Sequence, residues 1–266
     1  MFICEAMTEY PNNTHFEANV EFSNLVRCFF SKRYQMFTQI IFFITIQTTN
    51  IASIAICSQL FDNLLIRIFQ LAMVLIGPLC LMSLSSNVWI QVVSCSLILL
   101  IFVQWTATFF EHGLVPARVP PVGSDMSRMF ESILFNYAFV TAVPSFANAK
   151  RPDVSIHKAV GTSVTIMTSL FILVSIVGGM AFDIPTNSTM IQAINSTPGV
   201  STLSQIAGFT FPIVAFITSI PVNTIVLRYN LVQSEVCNKS WANIMAGMVP
   251  WLVAIPCMTG SGLPIA

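Results

Sequence analysis

Long uncharged stretches alternate with short charged ones along this chain. Phe37–Leu60 carries no charge, nor do Ile68–Phe110, Ala159–Ala181, Gln205–Leu227 or Trp241–Leu263. A bilayer core about 30 Å thick needs about 20 helical residues at 1.5 Å each. Ile68–Phe110 is therefore long enough for two crossings, with a hairpin at Ser83–Asn87. The pattern predicts about seven transmembrane helices, at about 37–60, 68–83, 88–110, 129–149, 159–181, 205–227 and 241–263.

Polar positions interrupt these runs. The first span carries Gln39, Thr45, Gln47, Thr48, Thr49, Asn50 and Ser53, which marks one wet or tightly packed face. Gly77-Pro78 predicts a kink in the second, and Trp89 and Trp105 stand near the two ends of the third as interfacial anchors. The stretch Phe135–Lys158 is the most broken. Asn136, Tyr137, Thr141, Ser145 and Asn148 punctuate it, and Pro144 removes a donor and frees the carbonyl of Val140. Such backbone is tolerated in hydrocarbon where protein or a watery cavity satisfies it. Two readings fit: a binding site at a helix break, or a kinked helix bonded to its neighbours. The same pair applies to Thr162, Thr165 and Thr168, which line a pathway or pack a close helix contact.

Composition agrees with the pattern. Apolar residues make up 55% of the 266 and charged ones 8%, far below the ~25% of an average soluble domain. This is the composition of an all-α, polytopic integral membrane protein. Eleven basic residues balance eleven acidic ones, and no basic stripe suits a phosphate backbone, so nucleic acid is excluded as a partner. The partner implied is the lipid bilayer. Seven cysteines fall without the spacing of a disulfide framework or a zinc site. No histidine lies within a span and the one acid, Glu131, stands at the very start of the fourth, which argues against an enzyme; no metal and no cofactor are expected. The opening residues MFICEAMTEY lack the basic and apolar regions of a signal peptide. Residues 1–36 are read as a polar cytoplasmic segment, and 37–266 as the membrane domain.

Cytoplasmic loops are enriched in Lys and Arg. With the N-terminus inside, Arg27, Lys32, Arg33, Lys150, Arg151, Lys158, Arg228 and Lys239 fall inside, against Arg67, Arg118 and Arg128 outside. The sequons at Asn187 and Asn195 then lie outside as glycosylation candidates, and those at Asn12 and Asn238 stay bare inside.

Four segments in order, QTTNIASIAICSQLFDNLL (47–65), LFNYAFVTAVPSFANAKRPDVSIHKAV (134–160), FPIVAFITSIPVNTIVLRYNLV (211–232) and WLVAIPCMTGSG (251–262), resemble the third, sixth, eighth and ninth helices of the amino acid/auxin permease family. The resemblance implies the five-plus-five inverted-repeat (LeuT-like) transporter fold, here incomplete: helices one, two, ten and eleven have no counterpart, as in a fragment of a longer protein. It implies alternating-access transport of amino acids, small neutral ones first, in a plasma membrane or a vacuolar or lysosomal one. Asn136, Phe139, Val140, Thr141 and Pro144 would contribute to the substrate site. Gln47, Asn50, Thr218 and Ser219 would line an ion site or pathway, with Na+ and H+ both open as the coupling ion. Structural readings stand beside these: Gln47 and Asn50 tie the first span to a neighbour, and the two hydroxyls bond the preceding helical turn. His157 is read as solvated. The alternative function is a truncated, non-transporting membrane protein acting as a structural or regulatory relic.

The orientation is checked with an epitope tag at the N-terminus: it is expected to be unreachable by antibody on intact cells, and labelling without permeabilisation contradicts it.

Overall fold

A computed structural model of the protein describes residues 2–16, 18–60, 76–120, 130, 133, 137–151, 153–184 and 188–259, the side chains of 56–60, 138 and 255–259 excepted. The described elements are helical. In chain order they are α1 (Phe2–Thr8), α2 (Phe22–Phe29), α3 (Lys32–Leu60), α4 (Val88–His112), a 3-10 turn at Pro116–Arg118, a 3-10 segment at Ala138–Ala142, α5 (Val143–Ala149), α6 (Ile156–Ala181), α7 (Met190–Ser196), α8 (Thr202–Gln233), α9 (Lys239–Asn243), a π segment at Ile244–Met248, and α10 (Val249–Thr259).

Four helices are long and apolar enough to cross a membrane: Lys32–Ala55 within α3, then α4, α6 and α8. Their outward faces carry large apolar side chains, among them Ile40 and Ile44 on α3, Leu100 and Val103 on α4, and Ile172 and Ile176 on α6. A soluble surface rarely holds apolar patches of this extent. The protein is membrane-associated.

The helices depart from the expected spans mainly at their ends. α3 begins at Lys32, α6 at Ile156 and α8 at Thr202, and α8 continues to Gln233. A charge marks where hydrocarbon ends, not where helical hydrogen bonding ends. Arg228 makes the point. Its guanidinium is buried, donating from Nη1 to Cys80 O at 3.1 Å and from Nη2 to Met82 O at 2.5 Å, with the Tyr229 ring 5.4 Å away. The cation thus closes the helical stretch at 76–81, beyond which 83–87 forms the expected hairpin turn. At its other end α4 stops at Gly113, which takes φ +90 and bonds back to Phe110 O at 3.3 Å.

The chain packs as two compact units. The first comprises Met1–Gln91, Ala138–His157 and Phe216–Leu263. Within it α1 and α2 bury Cys4, Met7 and Leu25. Two clusters form its core. In one, Phe42 and Ile46 of α3 meet Val226, Leu227 and Leu231 of α8 and the small residues Ala242 and Ala246. In the other, Ile54 of α3 meets Ile220 of α8, Trp251 and Ala254 of α10, and Ile76 with Cys80.

The second unit comprises the described residues of Val92–Tyr137 and Lys158–Ala215. Its core joins Phe102, Trp105 and Phe109 of α4 to Ala181 and Phe182, Ala193 and Ile194 of α7, and Ala207 of α8. Trp105 corrects the sequence reading. It is a core residue, 3% exposed, with its ring 5.3 Å from that of Phe211 and its Nε1 donating to Ser204 O at 3.4 Å. Trp89, by contrast, is 78% exposed. The reason is rotational. Both lie on α4, but Trp105 shares a face with Phe102 and Phe109, at the three- and four-residue spacing that aligns side chains along a helix.

Replacing Trp105 by Ala is expected to cost about 3–5 kcal/mol, and replacing Trp89 by Ala no more than about 0.5 kcal/mol. Thermal unfolding in detergent measures both, and equal losses contradict the assignment.

Candidate functional site

The broken stretch keeps its break in a milder form than expected. Ala138–Ala142 winds as a 3-10 helix and passes into α5 through Ala142, which stays right-handed at φ −90 and ψ −9. Pro144 lies in the first turn of α5, where a missing N–H costs nothing. The interruption is a change of winding rather than an extended gap, and α5 ends at Lys150, which is extended at φ −69 and ψ 157. Phe139 and Val140 are exposed, Thr141 is half-buried and Pro144 is buried. Asn136 lies outside the described residues.

The amides predicted to line a pathway face a protein seam. Asn50, fully buried on α3, donates from Nδ2 to Thr224 Oγ1 at 3.4 Å and accepts from Asn223 Nδ2 at 3.2 Å, both on α8. Gln47, one turn earlier, donates from Nε2 to Met245 O at 2.5 Å. That carbonyl needs a donor. In a π register each carbonyl pairs with the N–H five residues on, and five on from Met245 stands Pro250, which has none. Gln47 supplies the missing bond, while its own Oε1 is buried without a partner. Thr218 and Ser219 are half-buried on α8; the carbonyl of Thr218 accepts from Gln91 Nε2 at 3.4 Å. Both amides thus bond across to neighbouring helical segments.

Of the two glycosylation candidates, Asn187 lies outside the described residues. Asn195 is half-buried on α7 against α8: a Cβ on Gly208 would stand 3.1 Å from its Oδ1 and 3.5 Å from its Nδ2. A glycan there requires the side chain to leave this contact. Thr165 on α6 bonds back to Gly161 O at 2.9 Å, and Thr168 pairs with the hydroxyl of Tyr137.

A third cluster was not foreseen from the sequence. Glu21, 2% exposed, lies at the N-cap position of α2, yet its side chain makes no cap hydrogen bond. The carboxyl reaches other helices instead. Oε2 accepts from Ser145 Oγ at 2.5 Å and from Asn230 Nδ2 at 3.3 Å, and Oε1 accepts from Asn148 Nδ2 at 3.0 Å. Asn148 also clasps the main chain of Val20, receiving its N–H and donating to its carbonyl, each at 3.2 Å. Asn230 Oδ1 receives both the N–H and the hydroxyl of Ser23 at 3.2 Å. All the donors to the carboxyl are neutral. Burial therefore pushes the Glu21 acid up from 4.5 to about 7, against the opposing pull of the Ser145 and Asn148 hydrogen bonds. Ser145 and Asn148 are visible in the sequence as polar breaks in an apolar run; what links them to Glu21, more than a hundred residues away, is tertiary.

No group of His, Cys, Asp and Glu among the described residues has the arrangement of a metal site. Compared with protein-family models, with curated proteins and with solved structures, the chain matches none.

Gln47→Leu, which strips Met245 O of its donor, is expected to destabilise the protein by about 0.6–2 kcal/mol. In a Pro250→Ala background the restored N–H should absorb most of that loss. Additive losses in thermal unfolding of the double variant contradict the pairing.

Proposed function

We propose that the chain is part of a secondary transporter that moves small neutral amino acids across a membrane by alternating access, in a multi-pass arrangement of the LeuT-like kind. The observation that supports this reading is the change of winding at Ala138–Val143 in an uncharged, polar-punctuated helical stretch. A 3-10 segment pairs its carbonyls three residues on and in poorer geometry than an α-helix. Helix interruptions are a recurring place for substrate in transporters. Thr141, in the middle of the segment, adds a hydroxyl that can donate or accept. Phe139 and Val140 add exposed apolar side chains beside it.

In this reading the seam of Gln47, Asn50, Asn223 and Thr224 is scaffold, holding α3, α8 and the π segment in register. Gln47 Nε2 and both amide atoms of Asn50 are engaged by protein, which leaves Gln47 Oε1 as the unpaired acceptor of the set; the coupling ion is Na+ or H+. The membrane is a plasma membrane or a vacuolar or lysosomal one.

Uptake of radiolabelled amino acids by cells expressing the gene's full product tests the proposal. A small neutral amino acid is expected to be taken up, and Thr141→Val to reduce its uptake by about tenfold at equal surface abundance, the scale of one lost hydrogen bond. No uptake of any amino acid, or a Thr141→Val variant with unchanged affinity and rate, overturns it.

A further inference from the structure

The Glu21 cluster joins three parts of the first unit that are distant in sequence. The N-terminal segment supplies Val20, Glu21 and Ser23; α5 supplies Ser145 and Asn148; α8 supplies Asn230. A carboxyl buried among neutral partners lacks the compensation that an ionised acid requires. Among the described residues, the charged and titratable groups on the neighbouring elements are engaged or directed elsewhere. On α2, Arg27 and Cys28 are exposed. After α5, Lys150 lies over the Phe16 ring at 5.8 Å and donates to Arg151 O, and Arg151 is exposed. On α8, Arg228 is committed to Cys80 O and Met82 O, and Tyr229 accepts from Leu84 N at 3.3 Å. Lys32, Arg33 and Tyr34 at the start of α3, Glu5 and Glu9 in and beside α1, and His15 are exposed. Among the described residues no cation reaches the Glu21 carboxyl.

One partner is suited to both protonation states. A hydroxyl donates or accepts, so Ser145 Oγ at 2.5 Å can donate to the carboxylate or accept the O–H of the neutral acid. Asn148 and Asn230 present amide donors, which the remaining lone pairs of a neutral acid still accommodate.

We propose that the Glu21 carboxyl is a proton-binding site that latches the N-terminal segment, residues 18–31, onto α5 and α8: the neutral acid keeps the segment docked, and loss of the proton loosens it. The inference stands on this cluster alone and holds whatever α5 binds. Its sign follows from the two states. Docked, the acid is raised to about 7; undocked and hydrated, it returns to the ordinary 4.5. The docked state therefore holds its proton more tightly. Docking is fully favoured below pH 4.5, weakens as the pH rises towards 7, and levels off above it.

Hydrogen exchange of the full chain in lipid nanodiscs reads the latch directly. After correction for the intrinsic pH dependence of exchange, protection of the backbone in residues 18–31 is expected to fall by more than about tenfold between pH 5 and pH 8. Glu21→Gln, which cannot lose a proton and retains His15, is expected to flatten that response. Ser145→Ala removes a hydrogen bond that is made to both forms but is stronger to the carboxylate than to the neutral acid, and should move the midpoint to higher pH. The proposal is overturned by wild-type protection that does not change with pH, by a Gln variant with the wild-type response, or by a Ser145→Ala midpoint that stays in place or moves down.

Discussion

In a hydrocarbon solvent apolar side chains gain little by leaving lipid for one another, so the placement of helices depends heavily on polar groups that must find partners inside the protein. The first unit is built around that requirement. Pro250 leaves Met245 O without its π-register donor, and Gln47 of α3 answers it. The helical stretch at 76–81 ends against the buried guanidinium of Arg228. Asn50 holds α3 to α8 through Asn223 and Thr224. Each bond fixes a register as well as a distance, because an amide shifted by one residue on a helix faces about 100° away.

The Glu21 cluster obeys the same requirement with a different balance. Gln47, Asn50 and Arg228 satisfy groups whose protonation does not change, so those contacts are permanent. Glu21 brings a group whose charge can be removed, into surroundings that supply dipoles but no countercharge. Its burial is compatible with docking of the N-terminal segment chiefly when the acid is neutral. Ser145 and Asn148 belong to α5, so the segment shares these contacts with the helix that follows the 3-10 winding at Ala138–Ala142.

Aromatic packing supplies what polar contacts do not in the second unit. Phe102, Trp105 and Phe109 face inward along α4, and the T-shaped pair of Phe109 with Phe182 at 5.7 Å closes the cluster near the end of α6. Several polar contacts there meet at Ser204, which accepts from Gln104 and Trp105, pairs with Thr108 and donates its own N–H to Ser201 O.

Membrane association, helical class and the approximate places of the long helices were legible in the uncharged runs, because transfer into hydrocarbon depends on local composition alone. The turn at 83–87 and the break near Pro144 were legible too, since proline and polar residues act on their own backbone. Helix ends were less so: Arg228 reads as a boundary until its carbonyl partners at Cys80 and Met82 are known. Trp105 and Trp89 look alike in sequence, and only the rotation of α4 against its neighbours makes one core and the other exposed. Glu21 was the least legible. Nothing in residues 1–36 distinguishes it from Glu5 and Glu9, which are exposed. Its partners come from α5 and α8, and a carboxyl's charge state depends on what surrounds it in space, which only the tertiary structure decides.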